Sequence, residues 1–587
     1  MSPRLTAICV FITTLASCAI VDRPDNEAPE PAAAFSGGGL AGSEEQQADT
    51  YRPFAEQELY NLLLAEFAVT RQELPLALEK YLAEAYTSRD ATVAERAARI
   101  ALYLRDQPAA LGAAELWYSL DPEDEKASQI VVELLARTGR PGDALVIIRR
   151  QLESGQAGNV KAINVASFGE GNHSIDAVVS ELESLHQEYP GNIEVMDVLA
   201  RQLLRTGQAE TALTVAQTML SGEELTAQSA MLLAQIHEEL DEFPQAATII
   251  KRFLNDHPDN QRFHVYHAQL LSRYDLYASQ KSFTRLLHES PDNADLIFAL
   301  AAVAHQNNDD ETASIALNRL LELNKKTSAA QYYLGLIAER HGHPDVALER
   351  YRAVAPGQYF VSAVSTAAEL LVGPGEDISA LANARVFLAD YRQQYPQLVP
   401  TLTIIESSLL KEHDHAPLAH DLLSESLLEY PDEKHLRLER SLLSEHLDEV
   451  DLAIADLEYI LEREPDDAMT LNALGYTLAD RTDRYDEAKV LIEKAYAQHS
   501  DDAAIIDSLG WVQFKLGQIQ QALKNLERAF SLSTDEEIVS HLVEVLLATE
   551  DRKARKRARK IVKRIRSEQE DTPLLDATLI RLQFDVR

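Results

Sequence analysis

Apolar residues in this chain recur at i, i+3, i+4 and i+7 in stretch after stretch, the spacing of one face of a helix. The stretches come in twos, and a short break with Gly, Asn, Asp or Pro separates the members of each two. The segment TLNALGYTLADRTDRYDEAKVLIEKAYAQHSDD shows the unit: Leu474-Gly475, then Ala488, Ile492 and Ala495. The next copy, IIDSLGWVQFKLGQIQQALKNLERAF, has Leu509-Gly510, Gly517, Ala522, Leu526 and Ala529. An earlier copy, QYYLGLIAERHGHPDVALERY, has Leu334-Gly335, Ala347 and Tyr351. Small residues at the Gly475 and Ala488 positions let two helices approach closely, and the larger residues between them fill the core.

A small residue returns about every 34 positions: Ala77, Ala110, Ala144, Ala212, Ala246, Ala313, Ala347, Ala384, Ala419, Ala453, Ala488 and Ala522. Ala177 and Ala278 complete the series one residue off register, giving fourteen marks at intervals of mostly 33 to 37. Pro122, Pro190, Pro258, Pro291, Pro396, Pro431 and Pro465 follow the second stretch of a pair, where a helix must stop. A period of this length is the mark of a repeat array, which offers an extended surface rather than one pocket. The shared register argues against a non-repetitive helical bundle.

These Leu-Gly, Ala, aromatic or apolar, Ala and Pro positions resemble the tetratricopeptide repeat. The resemblance implies an all-α fold, a right-handed superhelical solenoid of about fourteen helix pairs over residues 51–550. It weakens at 155–190, where SFGEGNHS interrupts, and at 355–380, where APGQYF and GPGED intrude.

The chain opens MSPRLTAICVFITTLASC. Arg4 precedes an apolar run from Leu5 to Leu15 that is too short to span a bilayer as a stable helix. Leu15-Ala16-Ser17-Cys18 resembles the bacterial lipobox, which implies a signal peptide over 1–17 and a lipid on Cys18. Several acyl chains anchor stably because each buried CH₂ contributes about 0.8 kcal/mol. Ala19 rather than Asp after Cys18 implies sorting to the outer membrane, facing the periplasm. Residues 18–50, rich in Pro, Ala, Gly and acids, read as a lipidated cysteine and disordered tether. Such a tether reaches roughly 100 Å extended and about 30 Å as a coil. Gly37-Gly38-Gly39 within it is no phosphate loop, since no Lys-Ser or Lys-Thr follows. The other cysteine, Cys9, lies in the signal segment, so no disulfide or cysteine-based metal site is expected.

Net charge is −39, from 55 basic and 94 acidic residues, which disfavours nucleic acid as partner. One segment reverses the trend. Arg552, Lys553, Arg555, Lys556, Arg557, Arg559, Lys560, Lys563, Arg564 and Arg566 fall without an acid among them in RKARKRARKIVKRIR, and the rest of the chain carries −49. The segment opens a terminal region, 551–587, of basic helix and cap or tail. It reads first as a second helix whose charges neighbouring acids neutralise. It reads second as a basic docking patch for an acidic partner, lipid phosphates or a wall polymer.

Catalysis finds little support. His413-Asp414-His415 lacks a third fixed ligand, His341 and His343 flank a turn glycine, and His257, His264 and His267 surround Pro258 and a helix face. No HExxH, GxSxG or GxxxxGKS is present, so no enzyme activity, metal or cofactor is expected. Aromatic residues beside the Leu-Gly marks are more informative. By the repeat's alignment Tyr332, Asn472, Tyr476, Asp480, Asp507 and Trp511 are groove candidates, because first helices line the concave face and aromatic anchors suit protein binding. Tyr333 and Phe514 read as packing between units.

The opening unit and the pair from Thr470 to Phe530 resemble long outer-membrane repeat lipoproteins, best known as partners of a periplasmic carboxyl-terminal processing protease. That resemblance implies an adaptor that binds and activates a PDZ-containing serine protease and presents substrates such as peptidoglycan hydrolases. The other expectation is a scaffold in an envelope assembly, such as polysaccharide export, pilus biogenesis or outer-membrane protein insertion.

Overall fold

The computed structural model describes residues 55–168, 173–219, 225–373, 378–569 and 572–585. The signal segment, Cys18 and the tether lie outside the described residues. The described chain falls into two compact units that divide between Asp309 and Asp310. It is all-α, with no strand among the described residues.

The first unit holds α1 Glu56–Thr70, α2 Leu74–Ser88, α3 Ala91–Tyr103, α4 Gln107–Leu120, α5 Glu125–Arg137, α6 Pro141–Glu153, α7 Ile175–Glu188, α8 Ile193–Arg205, α9 Ala209–Met219, α10 Ala227–Glu239, α11 Phe243–Asp256, α12 Gln261–Leu271, α13 Leu276–Glu289 and α14 Ala294–Gln306. The second holds α15 Asp310–Glu322, α16 Thr327–Arg340, α17 Pro344–Arg352, α18 Phe360–Val372, α19 Ile378–Gln394, α20 Val399–Glu412, α21 Ala416–Glu429, α22 Lys434–His446, α23 Val450–Leu461, α24 Ala468–Arg481, α25 Tyr485–Gln498, α26 Ala503–Lys515, α27 Ile519–Leu532, α28 Glu536–Ala548, α29 Arg552–Glu568 and α30 Pro573–Arg581. Neighbours pack in twos, such as α3 with α4, α24 with α25, α26 with α27 and α28 with α29. Each such pair also packs on the next within its unit, so the fold is a tetratricopeptide-type solenoid.

Every recurring alanine of the main series is fully buried, and all but Ala313, which lies on α15 at the start of the second unit, sit on the second helix of a pair. The two irregular marks are corrected. Ala177 and Ala278 are only half-buried, and their neighbours Val178 (1 % exposed) and Ser279 (0 %) hold the position. The register therefore does not slip. Ser279 is accommodated because its hydroxyl donates to Ala268 O at 2.7 Å, which satisfies the buried polar group. A further member, Ala558, sits fully buried in α29, so the basic helix is the second helix of a pair with α28.

Opposite the marks the first helices are also small. Ala65, Ala98, Ala200, Ala234, Ser407 and Ser441 each precede a mark by twelve residues and are buried. The approach is closest at the glycines. A Cβ on Gly335 would lie 2.5 Å from the Tyr351 ring, on Gly475 2.6 Å from Ile492, and on Gly510 2.7 Å from Leu526. Any larger residue there must displace a buried side chain from the partner helix.

Two further devices repeat with the pairs. The turn from first to second helix passes through a left-handed residue, such as Gln72, Arg105, Gly139, Gly207, Asp241, Asp414, Asp448 or Gly517. The next N–H then bonds back five residues, as Arg140 N to Leu135 O at 2.9 Å and Gln518 N to Gln513 O at 2.8 Å. Eight first helices start on acidic or amide caps: Asp90, Asp124, Asn192, Asn260, Asn293, Asp467, Asp502 and Asp535 each accept from the backbone of the first turn.

One first helix is missing. Where the period requires a cap after Asp124 the chain has Gly158-Asn159, and Asn159 caps nothing with its side chain. A short 3₁₀ helix, Val160–Val165, forms instead and packs on α5, α6 and α8 in the place of a first helix. No helix among the described residues is long and apolar enough to cross a membrane.

Candidate protein-binding surface

Five of the six groove candidates belong to the successive first helices α24 and α26, which touch each other, and α28 continues the row. Trp511 donates its indole N–H to Asp480 Oδ1 at 3.1 Å, and Lys515 Nζ reaches the same oxygen at 3.4 Å. Asp507 is buried and holds His541 Nδ1 through Oδ2 at 2.7 Å. His541 stacks on Trp511, ring centroids 4.0 Å apart, and its Nε2 faces the Tyr476 hydroxyl at 3.4 Å. Tyr476 donates to Glu537. Asn472 sits one turn before Tyr476, half-buried. Tyr476, Asp480, Asp507 and Trp511 thus meet in one network, and it takes in three residues that sequence reasoning passed over: Lys515, Glu537 and His541.

The network shifts the titration of its members. Burial would lower the His541 pKa, but the charge and hydrogen bond of Asp507, with the charges of Glu537 and Asp480, outweigh it and raise it. The imidazolium form of His541 is thus favoured relative to a free histidine, and the ring lies between the Asp507 carboxyl and the face of Trp511, where a cation is favoured. Burial, then Glu537, pushes the Tyr476 hydroxyl far up, so it remains a donor. Burial likewise raises the Glu445 carboxyl on α22, next along the row. Two buried acceptors, Asn472 Oδ1 and Asp507 Oδ1, have no hydrogen-bond partner among the described residues. Trp511 is only 4 % exposed and both acceptor atoms are shielded from solvent, so these groups form a rigid packed row, and Tyr476 and Asp480 are its half-buried members.

Tyr332 lies elsewhere in the second unit. Only 7 % exposed, its ring packs against Tyr333, Tyr351 and Tyr359 with centroids 5.4, 5.9 and 5.3 Å away. Tyr333 is buried in the same cluster, while Phe514 is half-buried beside Trp511.

All ten basic residues of α29 are exposed, and the helix seats Ala558, Ile561, Val562 and Ile565 inward. Neutralisation by neighbouring acids is incomplete. Arg557 pairs with Glu527, Arg566 with Asp576, and Arg564 with Glu568 of its own helix. Arg559 donates to Asp585 O at 3.2 Å. Arg552, Lys553, Arg555, Lys556, Lys560 and Lys563 form no ion pair among the described residues. Of the histidines, His264 bridges Pro258 O and the Arg285 guanidinium, and His341 pairs with Asp310; among the described residues no three metal-ligating side chains cluster.

No protein-family model matches the chain. TPR repeat-containing protein PA4667 of Pseudomonas aeruginosa is 32 % identical to it over 498 residues, covering 84 % of this chain and 83 % of that protein. The chain belongs to the TPR repeat-containing proteins. Among solved structures, this TPR chain is similar to yeast Tom70 at 13 % identity, over 87 % of this chain and 99 % of that one, with a TM-score of 0.33. Naa15/Naa10 bound to HypK-THB matches at 10 % identity over 90 % of each chain, with a TM-score of 0.39. Likenesses at these scores carry no functional argument. Membership itself gives the coarse activity: a repeat scaffold for protein–protein interaction.

Proposed function

We propose that this TPR protein is a membrane-anchored adaptor that binds and activates a periplasmic carboxyl-terminal processing protease and presents substrates such as peptidoglycan hydrolases to it. The observation that carries the reading is the row of first helices α24, α26 and α28, where half-buried Tyr476 and Asp480 are fixed beside the packed Trp511–His541 stack. A rigid row of first helices with half-buried aromatic and carboxylate groups suits protein binding. The Cys18 motif supports an anchor at the outer membrane, on its periplasmic side. A tether raises the local concentration of partner and substrate by holding both near one surface. The open lysines of α29 suit an acidic region of such an assembly. In this reading the hydrolytic residues belong to the protease, and the adaptor supplies no chemistry.

Reconstitution tests this. The mature chain is added to a purified PDZ-containing carboxyl-terminal processing protease with a peptidoglycan hydrolase as substrate. Cleavage is expected to accelerate, and less so with Tyr476→Ala and Trp511→Ala. Unchanged cleavage, with no complex on a sizing column, defeats the adaptor reading. Stable co-purification with integral membrane components would instead favour the scaffold.

A further inference from the structure

The basic helix α29 divides its cations by position. Arg557 turns to Glu527 of α27, Arg566 to Asp576 of α30, and Arg564 to Glu568 one turn on. Arg552, Lys553, Arg555, Lys556, Lys560 and Lys563 meet no acid among the described residues, and all six are exposed. With about 3.6 residues per turn they fall within an arc of about 160° and over about 17 Å of helix. The buried Ala558, Ile561, Val562 and Ile565 hold the other side against the fold. The apolar side of the helix is thus spent on packing, and the outer side is a fan of charge. No amide or aromatic side chain stands among the six cations to set a register with a shaped partner. Such a fan matches a continuous density of phosphate, where each cation counts wherever it lands.

A second observation separates a lipid surface from a soluble acidic partner. Between α29 and α30 a cleft of about 940 Å³ opens, with Lys563 and Arg566 on one wall and Leu579, Ile580 and Phe584 on the other. Ile580 is 77 % exposed, and the Arg559 guanidinium lies 5.3 Å from the centre of the Phe584 ring. Asp576 and Asp585 also line the cleft, and Asp576 is the partner of Arg566. Cations beside an outward apolar side chain are the two features that seat a helix in a headgroup layer, the first on phosphates and the second at the acyl boundary. The strongly acidic remainder of the chain is repelled by the same surface, so attraction at α29 also selects which side of the second unit approaches it.

We propose that α29 and α30 form a membrane-contact face, with Lys556, Lys560 and Lys563 on the phosphates of an anionic phospholipid bilayer and Ile580 in its interface. This names the acidic region that the open lysines of α29 meet. It takes only the membrane from the functional reading and requires no protease.

Vesicle sedimentation tests it, on the mature chain carrying Cys18→Ala so that no acyl chain contributes. The chain is expected to sediment with phosphatidylglycerol vesicles and not with phosphatidylcholine vesicles, and to be released as salt rises. Each lysine near an anionic surface adds about fivefold, so Lys556→Ala/Lys560→Ala/Lys563→Ala should weaken binding at least tenfold. Ile580→Ser should weaken it about threefold, both with unchanged helical circular dichroism. Ile580→Trp should show a blue shift of its emission on phosphatidylglycerol vesicles alone. Absence of binding to phosphatidylglycerol, equal binding to phosphatidylcholine, or indifference to the lysine variant overturns the proposal. So does displacement by soluble poly-glutamate together with an unaffected Ile580→Ser variant, which would mark the face as a site for an acidic protein. No protease is present in the assay, so its failure leaves the protease reading untouched.

Discussion

The pairs from Ala468 to Leu532 and the stretch from Gly158 to Glu188 occupy the same kind of place in a repeat array and solve it differently. The first has a capping aspartate at each start, a glycine under each mark and side chains pressed to contact. Its charges are turned on one another, as in the Lys515–Asp480 pair. The second lacks the cap, replaces a helix by six residues of 3₁₀ and carries Val178 where an alanine belongs. Its Lys161 faces an open cavity. Regularity thus yields a continuous packed face, and a lapse in regularity yields a cavity.

The largest predicted effect tests how far the second unit depends on internal charge. Asp456, 1 % exposed, receives Arg437 at 2.7 Å and Arg440 through two bonds of 2.7 Å. Asp456→Ala strands two largely buried guanidinium groups and should cost about 3–5 kcal/mol, seen as an early unfolding step in urea. A change under about 1 kcal/mol would show that water reaches the pair.

Next come reciprocal changes at the marks. Ala522→Val forces methyl groups toward Gly510 and should destabilise by about 1–3 kcal/mol. Val178→Ala should also destabilise, by roughly 1–3 kcal/mol, from lost burial and a cavity. If Val178→Ala proved neutral, the interrupted stretch would pack like the regular one, and the comparison would lose its basis.

Caps give a smaller contrast. Asp502→Ala should lower stability by about 1 kcal/mol, whereas Asn159→Ala should have almost no effect, because only Asp502 accepts backbone N–H groups.

Finally, the two units should answer pH in opposite senses. His541 titrates above its usual 6.5 in the fold, so its stabilisation is complete below pH 6.5 and fades as pH rises through the raised folded value. His267 in α12 is lowered to about 4, by burial first and then by Lys251, His264 and Arg285. Its neutral form suits the fold, so stability is kept above pH 6.5 and lost as pH falls from there toward 4. Hydrogen exchange at pH 5 and pH 9 should loosen α12 in acid and α28 in base. His541→Gln should abolish the second response.

Much of the fold was legible because its packing demands one residue size at one spacing. The marks, the glycines beneath them and the prolines after second helices all state a steric need in residue type. The left-handed turns were not legible, since Gln72, Arg105, Asp241 and Gly139 meet the same φ with different side chains. Nor was the exchange of Ala177 for Val178, which only burial reveals. In the row of first helices, Asp480, Asp507, Tyr476 and Trp511 were found from the Leu-Gly positions, though Asp507 and Trp511 are buried there. His541 and Glu537 were missed because α28 carries no Leu-Gly mark, yet His541 stands 34 residues after Asp507, and the period alone could have found it. The missing first helix was hidden for another reason: a cap that is absent leaves no motif.

The adaptor reading is tested most directly by affinity capture from envelope extracts, with tagged wild type and Cys18→Ala as bait. The expected result is a PDZ-containing serine protease and a peptidoglycan hydrolase held by both baits, with only the wild type in the membrane fraction. Capture of neither enzyme by either bait would contradict it.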